Sequence, residues 1–553
     1  MRLACCALAL VALSSCGDSG PESSGGPATV RRLTQEQYGT IIADIFGSDI
    51  KVQGRFDPEV REEGLLAIGT SHVSVTPASL EQYDSLARSI AAQVVDEKHR
   101  DLLVGCHPAA KTAPDDACAK QFLGEVGRQL YRRPLTEREL AAQVKVADDA
   151  TKTLGDFYTG LETSLAIMLE SPRFLFREET VESDPDHAGA LRLNAYSKAS
   201  RLSFFLWNTA PDDDLLAAAA NGELDSDRGR ARQVDRMLAS PRLKAGVRAF
   251  FTDMLGFDLL GGVAKDPEIY PKFTPTLAGE AQEQTLRTIT DHLLTQKGDY
   301  RDLFTTRRTF LSPLLASIYR VPIQTKKGWE AYEFPDGDSH TGIVTEVSFL
   351  ALHSHPGRSS STLRGKAVRE ILLCQPVPTP PANVNFAIVQ DTKNANFRTA
   401  RDRLTAHRTQ ATCAGCHKII DPIGLSLEHF DGLGALRDQE NGATIDDSGQ
   451  LDATQFAGAV GLGKTLHDAP QTPACLVNRL YAYAAGHTPT KGEGEWMKYL
   501  QDRFAADGYR VPDLMRRIAT SEAFYKVSAP ATTNTPTQAD SGPGQTSAKE
   551  GKS

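Results

Sequence analysis

The sequence predicts a mainly α-helical protein built from several modules. Helix-start signals are frequent, as in the capping-box pairs Thr34 with Gln37 and Thr136 with Glu139. Long alternating patterns of the kind that form extended strands are nearly absent, so we expect β structure only as a small hairpin. Apolar residues also recur at the spacing that places them on one face of a helix. The clearest set is Leu243, Val247, Phe250, Phe251, Met254 and Leu255.

Individual elements follow from local signals. Leu202, Phe205 and Leu206 share one helix face, and Ser240-Pro241 supplies an N-cap and a first-turn proline for the helix that ends near residue 255. Further along the chain, Asn441-Gly442 and Asp447-Ser448-Gly449 are turn sequences between short extended segments, which predicts the hairpin. Residues 376–381 are a proline-rich connector, and residues 528–553 have the composition of a disordered tail.

Length and charge limit the possible classes of protein. A chain of 553 residues is too long to fold around one compact core, so several packed units are expected. The net charge of −9 is modest and no basic tract is present, so nucleic acid is not an expected partner. The sequence contains no HExxH, GxSxG or GxGxxG motif that would indicate a hydrolase or a dinucleotide site.

The N-terminus predicts export. An apolar run at residues 3–13 leads into Leu13-Ser14-Ser15-Cys16, which resembles the bacterial lipobox, whose cysteine is lipidated and becomes the mature N-terminus. The alternative is a buried N-terminal helix, but the run is too short to span a membrane and a Gly/Ser/Pro stretch follows at once. We therefore expect a lipid-anchored protein on the periplasmic or cell-surface face of a bacterial membrane, with Cys16 carrying the anchor.

Export implies an oxidising compartment and therefore disulfides. Cys106 and Cys118 flank a short loop and are predicted to pair. Cys374 and Cys475 are left after the other motifs are assigned, and they form either a second disulfide or two buried free thiols.

Cys413-Ala-Gly-Cys416-His417 is a CxxCH motif. Two thiols one helical turn apart can add to the two vinyl groups of haem, and the adjacent imidazole then binds the iron. A structural zinc site would need a second Cys/His pair, and a thioredoxin-like site would need a βαβ context. The motif therefore predicts one covalent haem c in a C-terminal, cytochrome-c-like domain, held by Cys413, Cys416 and His417.

Gly458 to Thr465 matches the phosphate-binding pattern GxxxxGK[ST], but its context differs from that of a P-loop. The preceding residues 450–456 are polar, and Pro470 and Pro473 shorten the helix that should follow. Nucleotide is therefore not an expected ligand.

The chain also resembles the planctomycete-type cytochrome-like proteins, which consist of consecutive domains of unknown function and end in a CxxCH module. The most specific block is 413–431, which contains Asp421-Pro422 and Gly424, and Tyr483-Ala-Ala-Gly-His487 departs from the family by having histidine in place of arginine. The resemblance implies a haem-bearing surface or periplasmic protein without a settled reaction. The remaining matching stretches are residues 32–38, 131–136, 171–178, 201–207, 211–212, 348–356, 364–365 and 373–376.

Two further site residues are predicted. Arg364 is expected either to pair with a haem propionate, because guanidinium matches a carboxylate, or to be a surface or helix-capping residue. His355 is the predicted sixth iron ligand, because imidazole binds iron well and Pro356 stiffens the following chain. Met497 is the main rival, and the other available side chains are His353, His429, His487 and Met515.

The sequence favours an exported lipoprotein that transfers electrons or carries out haem-dependent oxidoreduction, with an unidentified redox protein or small molecule as partner. The alternative is a cell-surface binding or scaffold protein in which haem is mainly structural, and a peroxidase is a weaker third hypothesis. The expected units are a signal peptide (1–15), a linker (16–28), three helical modules (29–98, 99–160 and 161–335), a module with the Ser-His-Pro and Arg-Gly motifs (336–385), a haem module (386–527) and a tail (528–553).

Overall fold

The computed structural model describes residues 20–72, 75–378, 396–407, 409 and 411–528. This part of the chain is mainly helical with a few short antiparallel strand pairs, which confirms the predicted class. Within it, every helix is too short or too polar to cross a membrane. Cys16, the predicted lipidation site, lies outside the described residues.

The N-terminal helices form a bundle around a core of their own. Both predicted capping boxes are present, since the hydroxyl of Thr34 accepts the N–H of Gln37 and that of Thr136 accepts the N–H of Glu139. Buried Tyr38, Phe122 and Leu161 belong to this core. The helices of this bundle are Gln35–Phe46, Pro77–Val95, Arg100–Leu103, Asp116–Leu130, Glu137–Leu154, Phe157–Glu170 and Pro172–Leu175, whereas the short helix Leu66–Gly69 packs into the larger core described next.

The central and C-terminal helices share a second, larger core. Leu202, Phe250 and Tyr481 lie in the same buried cluster, so the predicted C-terminal domain shares its core with the central helices. The helices of this part are Ala195–Leu206, Asp213–Ala220, Asp227–Ala239, Leu243–Leu255, Pro275–Thr290, Pro313–Tyr319, Val347–Leu352, Ser361–Ala367, Ala400–His407, Ala411–Leu425, Gly458–Asp468, Gln471–Ala485, Gly494–Ala506 and Val511–Thr520.

Short helical turns complete this region. Their 3₁₀ segments are Glu223–Asp225, Phe257–Gly262, Tyr300–Phe304, Ile343–Thr345, Lys491–Glu493 and Glu522–Tyr525, and the π-helical segments are Asp291–Thr295 and Val368–Leu372.

The strands pair across distant parts of the chain. Val30–Arg32 pairs with Phe176–Glu178, and Leu191–Leu193 lies between Val181–Ser183 and the last strand, Lys526–Val527. Arg308–Leu311 pairs with Glu330–Glu333. The first and last described segments are thereby joined to the central part of the chain.

The predicted hairpin is present and has a neighbour. Gln439–Glu440 pairs with Ala443–Thr444 around Asn441-Gly442, whose φ angles of 49° and 72° are those of a tight hairpin turn. A second hairpin joins Ser448–Leu451 to Thr454–Ala457. Its first strand includes Ser448 and Gly449, which were expected in a turn.

Two further local predictions differ from the structure. The helix expected from Ser240 begins later, at Leu243, because Ser240 and Pro241 form a separate turn in which the Ser240 hydroxyl accepts the N–H of Arg242 at 3.2 Å. The glycines that match the phosphate-binding pattern lie within the helix Gly458–Asp468, so they form helical turns instead of an open loop.

The described part of the chain contains two disulfides. Cys106–Cys118 confirms the predicted pair. Cys374–Cys475 decides between the two alternatives for the remaining cysteines in favour of a disulfide, and it connects positions 101 residues apart in the chain.

Candidate functional site

The CxxCH motif lies on the helix Ala411–Leu425. Cys416 is a free, partly buried thiol whose Sγ lies 3.8 Å from the carbonyl oxygen of Pro378. The side chain of Cys413 lies outside the described part of the structure, but its backbone is helical and one turn before Cys416. Positions three apart share a helix face, so the backbone sets the spacing that attachment of one group through both thiols requires.

A buried carboxylate orients the imidazole of His417. The Nδ1 of His417 lies 2.9 Å from one carboxylate oxygen of Asp421 and 3.0 Å from the other, and Asp421 has no exposed surface. The hydroxyl of Thr362 donates to the same carboxylate at 2.9 Å. Because the carboxylate accepts a hydrogen bond from Nδ1–H, the lone pair of the neutral ring lies on Nε2, which is the arrangement of a metal-binding histidine.

His407 contacts the same imidazole. Its ring meets that of His417 edge-on, with the ring centroids 4.8 Å apart, and it is fully buried. Burial lowers the pKa of His407, and the neighbouring His417 lowers it further. His407 therefore favours its neutral form and restricts the orientation of the His417 ring. The sequence did not predict a role for His407, because a histidine six positions before the motif carries no recognisable pattern.

A close helix crossing holds the site in place. A Cβ atom at Gly365 would overlap the carbonyl oxygen of Ile420, and one at Gly424 would overlap that of Ser361. Only glycine lets the backbones of Ser361–Ala367 and Ala411–Leu425 approach this closely. The crossing brings Thr362 within hydrogen-bonding distance of Asp421.

Arg364 lies in this crossing and has a structural role. It is 0% exposed, and its terminal nitrogens donate to the carbonyl oxygens of Leu427 at 2.9 Å, Phe430 at 2.8 Å and Asp431. A further bond reaches the hydroxyl of Ser354 at 3.1 Å. The guanidinium nitrogens that would bind a propionate already donate to these acceptors. The geometry therefore favours the predicted alternative, an arginine that caps the end of the motif helix.

The remaining acidic residues of the motif block stabilise the chain after the helix. Glu428 accepts hydrogen bonds from Ser359, Ser361 and Arg437 at 2.7–2.8 Å. Asp431 accepts three consecutive backbone N–H groups, those of residues 433–435, at 2.8–2.9 Å. Within the block 413–431, Asp421 therefore contacts the histidine directly, whereas Glu428 and Asp431 maintain its surroundings.

The structure places the predicted sixth ligand in a turn. His355 is partly buried, pairs through its backbone with Arg358 and has a pKa lowered by burial and by Arg358 and Lys265. Among the described residues, no ring contact links His355 to His417. The position of His355 opposite His417 thus stays a prediction.

The rival ligands are engaged elsewhere. Met497 and Met515 are packed in the large core with 5% and 1% exposure. The Nδ1 of His429 lies 2.8 Å from the carbonyl oxygen of Arg437, and that of His487 lies 2.9 Å from the carbonyl of Thr488. His353 packs its ring against Phe349, and burial lowers its pKa to about 3. Core packing of both methionines makes a sulfur ligand from the C-terminal helices unfavourable.

The donor set suits covalent attachment of a haem. Cys416 has a free thiol, whereas Cys106, Cys118, Cys374 and Cys475 are consumed in disulfides. The next residue offers an imidazole ring that is oriented by a buried carboxylate. With the second cysteine of the motif one helical turn earlier, a thiol and an adjacent oriented imidazole are the protein groups that a c-type haem requires.

Family models match the chain in five consecutive segments. In chain order these are described as proteins of unknown function DUF1587 (residues 31–96), DUF1595 (118–179), DUF1592 (193–321), DUF1588 (340–440) and DUF1585 (452–524). The chain has the planctomycete-type multi-domain arrangement. Neither the curated proteins nor the solved structures include a match to this chain.

In this planctomycete-type arrangement the CxxCH motif falls in the fourth segment, residues 340–440. The sequence predicted the motif in the last module, and this part of the prediction was wrong, because residues 452–524 form a further segment after it. The fourth and fifth segments are joined covalently, since Cys374 belongs to one and Cys475 to the other. The helices after the motif therefore stabilise its surroundings from outside its own segment.

Proposed function

We propose that this protein is an exported lipoprotein that binds one haem c covalently through Cys413 and Cys416, with His417 as an iron ligand. We propose further that it transfers electrons or uses the haem in an oxidoreduction. The observation that carries the proposal is the hydrogen bond from His417 to the buried carboxylate of Asp421, one residue after a free thiol. Burying a carboxylate is energetically costly, and Asp421 has no exposed surface. A histidine with only a structural role would not need such a buried partner.

The two disulfides support export. Disulfides form and persist in oxidising compartments, and the described part of the chain contains two. In such a compartment a thiol without a partner is open to oxidation unless another group occupies it. Attachment of Cys416 to a haem vinyl group is consistent with its exclusion from both disulfides.

Each residue of the site has a separate task. A bound haem would supply an iron centre that accepts and releases one electron. His417 presents Nε2 to the iron, while Asp421 accepts the hydrogen bond from Nδ1–H and fixes the plane of the ring. Gly365 and Gly424 keep the motif helix in register with Thr362, so the carboxylate stays in place. His407 covers one side of the imidazole.

Covalent attachment is tested by producing the chain in a host that matures c-type cytochromes. The wild-type protein should keep its haem after denaturation and give the pyridine haemochrome spectrum of haem c. Cys413→Ala with Cys416→Ala should release it, whereas the matched control Cys106→Ala with Cys118→Ala, which also removes two cysteines, should retain it. Loss of haem from denatured wild-type protein would contradict the proposal.

Electron transfer is tested by turnover of the purified holoprotein. Haem absorbance is followed after addition of a reduced donor with peroxide, or of a candidate electron-carrier protein. Oxidation and re-reduction within the same sample support oxidoreduction. A haem that exchanges electrons with none of these partners would favour the alternative, a cell-surface scaffold in which haem is structural.

The anchor is tested with labelled fatty acid. Label should enter the mature protein, and Cys16→Ser should abolish labelling and leave the precursor uncleaved. The control Cys6→Ser lies within the expected signal peptide and should label normally. Equal labelling of the wild type and Cys16→Ser would refute the assignment of Cys16.

A sixth ligand from His355 is tested by spectroscopy. A bis-histidine haem is low-spin and lacks the weak sulfur-to-iron band, and His355→Ala should give high-spin iron that binds added ligands. His429→Ala is the control, because that ring is already bonded to the carbonyl of Arg437. An unaltered spin state in His355→Ala would rule out His355.

A further inference from the structure

A second candidate site lies where four of the five matched segments meet. A cavity of about 810 Å³ is lined by residues of the first two segments, by the helices Ala195–Leu206 and Leu243–Leu255 of the third, and by Tyr483 of the fifth. Its volume falls in the range of pockets that enclose small organic molecules. The fourth segment, which carries the CxxCH motif, contributes no lining residue among those described.

One buried cation lines this cavity without a partner. Arg177 is 7% exposed, and its guanidinium makes no hydrogen bond or ion pair with any residue that the structure describes; its Nε is fully buried. Its guanidinium carbon lies over the face of the Phe204 ring, 4.2 Å from the ring centroid. Burial, and then the nearby Arg31, lower the pKa of Arg177 well below its usual value.

Other buried arginines in the same region are bonded within the protein. Arg132 donates to four backbone carbonyl oxygens, and Arg201 pairs with Glu179 at 2.7 Å. Arg31 donates to two carbonyl oxygens of the helix Gln471–Ala485. A buried charge without such partners disfavours folding, so the free donors of Arg177 indicate a site for an anionic group that comes from outside the chain.

The remaining polar groups of the cavity lining can form hydrogen bonds with hydroxyl groups of a ligand. The Asp57 and Asp253 carboxylates are already paired with arginines. Glu36 is exposed, Glu59 is partly buried, and neither is in an ion pair among the described residues. Partial loss of solvent raises the pKa of both, and Glu59 already accepts the N–H of Gln35 at 3.1 Å. Their remaining carboxylate oxygens can share hydrogen bonds with neutral hydroxyl groups. The amide of Gln282 also lines the cavity.

From this arrangement we infer that the cavity binds a small organic acid that carries hydroxyl groups, of the size of a sugar acid, and that its carboxylate pairs with Arg177. The planar guanidinium offers a two-pronged bond to the carboxylate. The hydroxyls contact Glu36, Glu59 and Gln282, and the Phe56 and Phe205 side chains in the lining offer apolar surface to the ligand's carbon atoms.

The test measures binding of three probes to the full mature protein by calorimetry and thermal melting. Glucuronate carries both the carboxylate and the hydroxyls, glucose lacks the carboxylate, and acetate lacks the hydroxyls. Glucuronate should bind and raise the melting temperature, whereas glucose and acetate should bind more weakly. Arg177→Met should weaken glucuronate binding about 10- to 100-fold, which is the loss expected for hydrogen bonds to a charged group.

Two further variants separate binding from folding. Arg177→Met removes no hydrogen bond within the protein, so its melting temperature without ligand should stay equal or rise, whereas Arg132→Met should lower it. Gln282→Ala, on another wall, should weaken glucuronate binding and keep the fold. Failure of the wild type to bind glucuronate would overturn the inference, as would equal binding by the wild type and Arg177→Met. Haem content is unaffected in either case.

Discussion

The Nδ1 of His417 lies 2.9 Å from a carboxylate oxygen of Asp421, a residue that has no exposed surface. Positions four apart on a helix share a face, so this contact is built into the helix that carries the CxxCH motif. A carboxylate that accepts a hydrogen bond from Nδ1–H raises the basicity of the ring and strengthens its bond to an oxidised metal ion. Asp421 is therefore a positioning residue for the proposed iron ligand.

Asp421→Asn should raise the reduction potential of the haem. Loss of a charge-assisted hydrogen bond worth about 1.5–3 kcal/mol corresponds to roughly 60–130 mV for a one-electron couple. The potential is measured by spectroelectrochemical titration of the holoprotein. Thr362→Val is the matched control, because it removes one donor to the same carboxylate and should shift the potential less. A potential unchanged in Asp421→Asn would show that Asp421 is merely structural.

Gly365→Ala should destabilise the protein by about 3 kcal/mol or more. The added Cβ overlaps the carbonyl oxygen of Ile420, and two packed helices have to separate to relieve the overlap. Gly415→Ala is the control: that position has open space around it, and replacing a helical glycine by alanine stabilises a helix by up to about 1 kcal/mol. Relative to the wild type, the urea midpoint of unfolding should fall for Gly365→Ala and rise for Gly415→Ala. Equal stabilities of the two variants would contradict the close crossing.

Arg364→Met should also destabilise, by about 3 kcal/mol or more, because three backbone carbonyl groups lose their donor in a buried environment. Arg516→Met is the control; it breaks an exposed pair with Asp235 and should cost less than about 1 kcal/mol. Melting temperatures report the difference. An Arg364→Met variant that is as stable as the wild type but retains less haem would instead support the pairing of Arg364 with a haem propionate.

Local signals predicted those features of the fold that depend on neighbouring residues. The capping boxes at Thr34 and Thr136 and the hairpin turn at Asn441 form because the side chains concerned lie within a few positions of each other. The start of the helix Leu243–Leu255 was misplaced, because Ser240 and Pro241 can begin a helix or form a separate turn with equal local chemistry.

The candidate site was only partly predictable for a related reason. The CxxCH spacing identifies Cys413, Cys416 and His417 from the sequence, but the partners of Asp421 and Arg364 come from a helix crossing that brings together residues about 60 positions apart. Likewise, Arg177 and Tyr483 share a cavity wall although they come from distant segments. Such tertiary contacts leave no periodic pattern in one sequence.

Acid should weaken the junction between the N-terminal and central parts through Glu179. Burial alone would raise the pKa of Glu179, but the Arg201 guanidinium at 2.7 Å, together with Arg31 and the N–H of Thr29, lowers it to about 2. Since the folded pKa lies below the ordinary value, this contribution is complete above about pH 5 and is lost as the pH falls toward 2. A lowering from 4.5 to about 2 corresponds to about 3 kcal/mol.

Glu179→Gln should therefore lower stability at neutral pH by about 3–5 kcal/mol, because it leaves two buried arginines without their counter-charge. It should also flatten the fall in stability between about pH 5 and pH 2. The exposed Glu495→Gln should change stability by less than about 0.5 kcal/mol and keep the acid dependence of the wild type. Urea unfolding across this pH range measures both effects. A Glu179→Gln variant that lost stability in acid as steeply as the wild type would show that other carboxylates control the acid response.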